Sequence, residues 1–353
     1  MSAFLHSRFS ALEAYTPGEQ PRDKRYIKLN TNESPYPPSP AVLAALTEQE
    51  VADLRLYSDP EGAALRAKLA KLYGCGPENV FLSNGSDDIL NFAFMAFSED
   101  GAVFPSLTYS FYPVFCDLHG VDYRTVDLND DFTVPVERLK DTGRLTVLAN
   151  PNAPTGVALT RDQIESIVRA NPDNVVAVDE AYVDFGAESC LPLIDRYDNL
   201  LVIQTFSKSR SMAGARLGFA AGNQALIQDL NTVKYSVNPY NVNSMSAAAA
   251  IGALSDEEYT RANCRTVAET RAWTAGQLRA MGFTLTDSVT NFLFAKHPAI
   301  GGEALYLKLK ERGVLIRHFS REDIKDYNRI TVGSREQMEI LIRRIGEILE
   351  ETK

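Results

Sequence analysis

Lys208 is the residue whose surroundings in the sequence most suggest chemistry. It lies in TFSKSRSMAGARLGF (205–219), at the end of the apolar run LLVIQTF, beside the hydroxyls of Thr205 and Ser207 and eight residues before Arg216. Desolvation and nearby cations lower an amine's pKa and make it nucleophilic, so this set suits imine chemistry next to an anion. VDEAYVDF (178–185) follows NVVAV and puts a carboxylate, Asp179, and a phenol, Tyr182, at one strand end. In SNGSDDIL (83–90) a glycine stands at a strand-to-helix turn, where the N–H groups of Ser86 and Asp87 open a helix and make an anion pocket. NPNAPTG (150–156) follows LTVLAN in the same way. Taken singly, these read equally well as a solvated basic turn, a metal ligand or helix cap, and an ordinary capped helix.

The elements that must carry these segments are short apolar strands alternating with helical stretches. AVF (102–104), LTVLAN (145–150), NVVAVD (174–179) and LLVIQTF (200–206) read as strands, and ALTRDQIESIV as a helix with Thr160 and Gln163 in a capping box. The alternation predicts a mostly parallel sheet covered on both faces, whose strand ends bind the ligand. Beyond about residue 240 the texture changes. One long helix is predicted over 256–281, followed by NFLFAK (291–296), a helix near 302–312, VLIR (314–317), RITVG (329–333) and a last helix from Arg335. The expected organisation is an N-terminal arm (1–30), a large domain (31–240) and a smaller α+β domain (241–353).

Composition limits the alternatives. A chain of 353 residues with 45% apolar and 23% charged residues is an ordinary globular protein with room for two domains. Its net charge of -10 argues against nucleic acid as a partner, so an anionic ligand must be caught by a local cluster of donors. No stretch approaches the roughly 18 apolar residues of a membrane span, and no leader is evident, which makes the cytoplasm the expected location. Cys75, Cys116, Cys190 and Cys264 have neither zinc-site nor disulfide-framework spacing. His6, His119, His297 and His318 are scattered and read as surface or packing residues, and no dinucleotide or Walker glycine motif occurs.

Together the segments LNTNESPYPPSP, LYSDP, SNGSDD, PSLTYSFY, NPNAPTG, DEAYVDF, TFSKSRSMAGARLGF, NPYNVN and RITVGSRE, in that order, resemble the fold-type I pyridoxal-phosphate aminotransferases, and more narrowly the histidinol-phosphate aminotransferase group. The resemblance spans nearly the whole chain. It implies an α/β fold in which a large cofactor-binding domain with a mainly parallel sheet is joined to a smaller α+β domain. By the same resemblance Lys208 would carry pyridoxal 5'-phosphate and move the substrate's proton. Asp179 would face the ring nitrogen, Tyr182 would reach the 3'-oxygen, and Tyr109 would stack on the ring. Ser86, Asp87, Thr205, Ser207 and Arg216 would hold the phosphate, helped by Tyr57 from a second subunit, so the implied assembly is a homodimer with shared sites. Arg329 and Arg317 would bind the substrate's anionic group, and Tyr15 would contact the partner's substrate.

The chain departs from the pattern at Ala153, where the family usually has asparagine before Pro-Thr-Gly; Asn152 is the candidate replacement for that amide. The implied reaction is transamination between histidinol phosphate and 2-oxoglutarate. An aromatic aminotransferase or a lyase of the threonine-phosphate decarboxylase type is the alternative. A cofactor-binding regulator is disfavoured, because the matching motifs begin by residue 29 and leave no room for a DNA-binding domain.

Overall fold

The computed structural model describes residues 4–9, 12 and 18–352. The first strand, β1 (Ile27–Lys28), is followed by seven that build the principal sheet: β2 (Val80–Ser83), β3 (Ala102–Pro105), β4 (Tyr123–Val126), β5 (Leu145–Ala149), β6 (Val176–Asp179), β7 (Leu200–Thr205) and β8 (Gly218–Gly222). Their order is β2-β8-β7-β6-β5-β3-β4. Only β8 runs against the others, pairing antiparallel with both β2 and β7. Every residue of β5, β6 and β7 is buried, as a parallel sheet covered on both faces requires. Two apolar clusters fill those faces, one around Phe94, Phe104 and Ile203, the other around Ile164, Val178 and Val202. The predicted capping box forms: Thr160 and Gln163 close the start of the helix Arg161–Ala170.

A second sheet, ordered β12-β13-β10-β9, comprises β9 (Thr284–Leu285), β10 (Phe292–Lys296), β12 (Arg317–His318) and β13 (Asn328–Thr331), all antiparallel. The helices Glu257–Ala280, Gly302–Glu311 and Arg335–Glu350 supply its core through Leu278, Leu309 and Ile345. The run expected as one strand, VLIR, is two. β11 (Val314–Leu315) pairs in parallel with β1, whereas β12 pairs with β13, and buried Ile316 lies between them. Among the described residues, the first strand pairing is therefore with the C-terminal part, and Leu29 belongs to that core. Conversely, the helix Ser244–Ala253 packs with Leu82 and Phe219 of the principal sheet. The change of core comes at the long helix, later than the change in sequence texture near 240.

Candidate active site

The carboxyl ends of β5, β6 and β7 open into one cleft, and the sequence candidates gather there. Lys208, Asp179, Tyr182, Tyr109, Ser86, Asp87, Thr205, Ser207 and Arg216 all line it, together with Ala153, Thr31 and Glu33. Lys208 follows the end of β7 by three residues. Its Nζ donates to the Thr31 carbonyl at 3.3 Å and lies 5.7 Å from the centre of the Tyr182 ring.

Asp179 closes β6 and is 6% exposed. Burial pushes its carboxyl up to about 6, against the opposing pull of its hydrogen bonds and of Lys208. Oδ2 accepts from the Tyr112 hydroxyl at 3.1 Å and Oδ1 from the Ala181 N–H at 3.2 Å. Tyr112 is wholly buried, and its phenol is held well above the usual range by desolvation and then by Asp179. Tyr109 stands edge-on to Tyr112, with centroids 5.7 Å apart, and donates to Asp87 Oδ1 at 2.8 Å. The Tyr182 ring meets Phe292 edge-on at 5.1 Å, and its Oη accepts from Asn32 Nδ2 at 3.0 Å.

The other end of the cleft is shaped for an anion. The helix Ser86–Phe97 starts with no side-chain cap among the described residues, so its first N–H groups face outward. Gly85 precedes it at φ +92°, and a Cβ there would meet Arg216 Nη2 at 2.8 Å. A Cβ on Gly218 would press on the Ser86 nitrogen at 2.6 Å. Only glycine leaves this cradle open. Arg216, in the left-handed region at φ +51°, holds its guanidinium 3.2 Å from Asp87 Oδ2. The lining suits a phosphate-bearing pyridine: an open helix start and an arginine for the anion, together with a buried carboxylate and an amine.

Other expected residues lie differently. Asn152 is not available as the replacement donor, because its amide gives both hydrogen bonds away, to the Leu107 carbonyl and to Thr155 Oγ1, each at 3.0 Å. Tyr57 is 84% exposed and stacks on Tyr240 at 4.6 Å, outside its own chain's cleft. Arg329 and Arg317 are directly opposed across β13 and β12. Arg329 lies over Phe292 and Phe319 and donates to the Asn30 carbonyl at 3.2 Å, and Arg317 lies over Phe319. Tyr15 is outside the described residues. Tyr112, at the end of PSLTYSFY, and Thr31, Asn32 and Glu33, in LNTNESPYPPSP, have no role legible from the sequence. Among the described residues no cluster of metal-ligating side chains occurs, and no helix is long and apolar enough to cross a membrane.

Residues 24–345 match the family described as aminotransferase class I and II, and the chain belongs to that family. The histidinol-phosphate aminotransferase of Brachyspira hyodysenteriae is 49% identical over 353 residues, covering 99% of this chain and 100% of its own. That of Clostridium botulinum strain Kyoto is 46% identical over 351 residues, covering 99% of each. Histidinol-phosphate aminotransferase from Sinorhizobium meliloti, solved in complex with pyridoxal-5'-phosphate, superposes with a TM-score of 0.84 at 25% identity, over 94% of this chain and 93% of that one.

Proposed function

We propose that the protein is a pyridoxal-phosphate-dependent histidinol-phosphate aminotransferase of histidine biosynthesis, exchanging an amino group between histidinol phosphate and 2-oxoglutarate. The observation that carries this reading is the convergence of Lys208, Asp179, Tyr182 and Arg216 on one cleft, in a chain alike over its full length to enzymes of that name. The cofactor, when bound, supplies a ring that stabilises negative charge on the carbon losing its proton. Lys208 holds the cofactor and moves the proton at that carbon. Asp179 keeps the ring nitrogen protonated, Tyr182 donates to the 3'-oxygen, and Tyr109 covers the ring face. Ser86, Asp87, Thr205, Ser207 and Arg216 hold the phosphate.

Arg329 and Arg317 hold the substrate's anionic group. Like charges directly opposed across two strands repel, and a bound anion between them turns that repulsion into a clamp. The same pair serves a substrate phosphate and a donor carboxylate. The domains are an arm, a large domain ending before the helix Glu257–Ala280, and a small domain beyond it. The site is completed by a second copy. Tyr57 faces outward beside exposed Leu54 and Leu56, with Leu43 and Val51 also exposed, an apolar surface of the kind a homodimer buries. A cytoplasmic location accompanies this reading.

The test is a half-reaction screen on the cofactor-loaded protein, following visible absorbance with histidinol phosphate, glutamate, aromatic amino acids and threonine phosphate. Glutamate should convert the cofactor as the second partner, and faster conversion by an aromatic amino acid or threonine phosphate than by histidinol phosphate sinks the assignment. Mixing Tyr57→Phe with Lys208→Ala subunits tests the shared site, since the heterodimer then has one unlesioned site and regains activity over either parent.

A further inference from the structure

Asn32 lies between the two sheets and touches catalytic machinery from both sides. It is 1% exposed, and its φ of +57° is one that asparagine tolerates and most side chains avoid. Non-glycine residues held in this region are over-determined by their surroundings and cluster at functional sites. The surroundings here are specific. The Asn32 N–H donates to Thr331 Oγ1 and its Oδ1 accepts from the same hydroxyl, both at 3.0 Å. Its carbonyl accepts from Asn291 Nδ2 at 3.0 Å. The side-chain amide that remains donates to Tyr182 Oη at 3.0 Å. Thr331 stands on β13, two residues beyond Arg329, and the neighbouring Thr31 carbonyl accepts from Lys208.

A phenol has one proton to give and lone pairs with which to accept. With the Asn32 amide occupying one lone pair, the Tyr182 proton is directed to another partner, and Tyr182 lines the cleft. Accepting a hydrogen bond also polarises the O–H and makes it the stronger donor. Ala153, on the same cleft, offers no polar group, and Asn152 has committed its amide elsewhere. We propose that Asn32 is a positioning residue that commits the Tyr182 phenol to donate into the cleft, so that the hydrogen bonding of the cofactor's 3'-oxygen is set from the strand that carries Arg329. This rests on the reading that Tyr182 reaches that oxygen.

The experiment is a pH titration of the visible absorbance of the cofactor-loaded protein, in wild type, Asn32→Gly, Asn32→Asp, Tyr182→Phe and the Asn32→Gly/Tyr182→Phe double variant, with the thermal midpoint of each measured alongside. Glycine keeps the left-handed backbone and deletes the amide. Aspartate keeps the shape but accepts, drawing the phenol's proton away from the cleft. A donor to the 3'-oxygen favours its anionic form and loss of the proton it shares, so weakening that donor moves the titration midpoint up. One ordinary hydrogen bond converts to about half to one pH unit. Both Asn32 variants are expected to shift the midpoint up by about that much, Tyr182→Phe by at least as much, and Asn32→Gly to add nothing once Tyr182 is phenylalanine. A merely structural role would lower the thermal midpoint and leave the titration in place. The inference is overturned if both Asn32 variants titrate like wild type, or if the Asn32→Gly shift survives undiminished beside Tyr182→Phe. If Tyr182→Phe alone leaves the midpoint unmoved, the assignment of Tyr182 fails and takes this inference with it. Should Asn32→Gly not fold, Asn32→Asp carries the same comparison, because aspartate also tolerates the left-handed region.

Discussion

Asp179 and Arg216 line the same cleft, yet Asp179 is 6% exposed while the Arg216 side chain is 47% exposed. The floor is set by burial: three consecutive strands bring their carboxyl ends together, water is excluded, and a lone carboxylate there is raised to about 6 despite two hydrogen bonds. The anion cradle is set by backbone: glycines, an uncapped helix start and a guanidinium resting on Asp87. An ion pair that exposed contributes little to stability, so Arg216 leaves Asp87 at little cost when a better anion arrives. A charge on the dry floor needs a fixed partner, whereas a charge in the wet cradle can exchange partners.

The largest expected effect is at the floor. On the proposed reading, Asp179→Asn removes the charge that faces the ring nitrogen, and breaking a buried pair costs several kcal/mol, so kcat should fall by roughly 100-fold or more. Added salt should leave that deficit unchanged, because buried pairs are poorly screened. In the cradle, Arg216→Lys keeps the charge but loses the two-pronged geometry. Cofactor affinity should weaken by about tenfold at low salt, with the gap from wild type narrowing as salt rises. Titrating cofactor into each protein at low and high salt, alongside kcat, makes the comparison. Equal salt dependence at both ends would collapse the distinction between dry floor and wet cradle.

Tyr112→Phe probes the floor more gently. It removes a donor to the Asp179 carboxylate, which favours the protonated form, so the Asp179 pKa rises from about 6. On the proposed reading the ring nitrogen is paired with Asp179 as a carboxylate. The pH below which cofactor affinity falls off should therefore move upward, by about one unit for one hydrogen bond to a charged acceptor. Measuring cofactor affinity from pH 5 to 8 checks it; an acid limb in the wild-type position would show that Tyr112 only fills space.

The floor and the cradle also differ in how far the sequence disclosed them. Asp179, Lys208 and Tyr182 were legible because each follows within a few residues of an apolar run that could only be a buried strand, so chain order alone fixed their place. Ser86 and Asp87 were legible through Gly85 for the same local reason. Tyr112 and Asn32 were not: they meet Asp179 and Tyr182 across 67 and 150 positions of chain, and tertiary packing alone decides such contacts. The direction of the Asn152 amide depends on Leu107 and Thr155, so its position in the motif does not reveal where it points. The division of VLIR depends on β1 arriving from the other end of the chain. The strand GFAAG is not legible in the sequence because glycine and alanine carry little strand propensity; its place between β2 and β7 makes it one.

Glu180 tests whether burial alone, without the site, produces the behaviour of the floor. It follows Asp179 but serves no ligand: Oε1 accepts from the Cys190 N–H at 2.5 Å, and Oε2 from Ser189 Oγ at 2.6 Å and Gln204 Nε2 at 2.9 Å. Even with three donors its carboxyl is pushed by desolvation from 4.5 to about 7. Between those two values the native protein holds a proton that the unfolded chain has released, so this group's contribution to stability is fully present below pH 4.5 and is lost as pH rises to about 7. Glu180→Gln cannot titrate. The variant should therefore gain stability relative to wild type as pH rises through that window, with a constant difference outside it, whatever fixed offset the swapped amide introduces. Urea unfolding of both proteins across the window reads the difference directly. A difference that stays flat from below 4.5 to above 7 would mean that the three donors already hold Glu180 as a carboxylate throughout. In that case the raised pKa of Asp179 would need a cause particular to the cleft, and burial would no longer account for the floor.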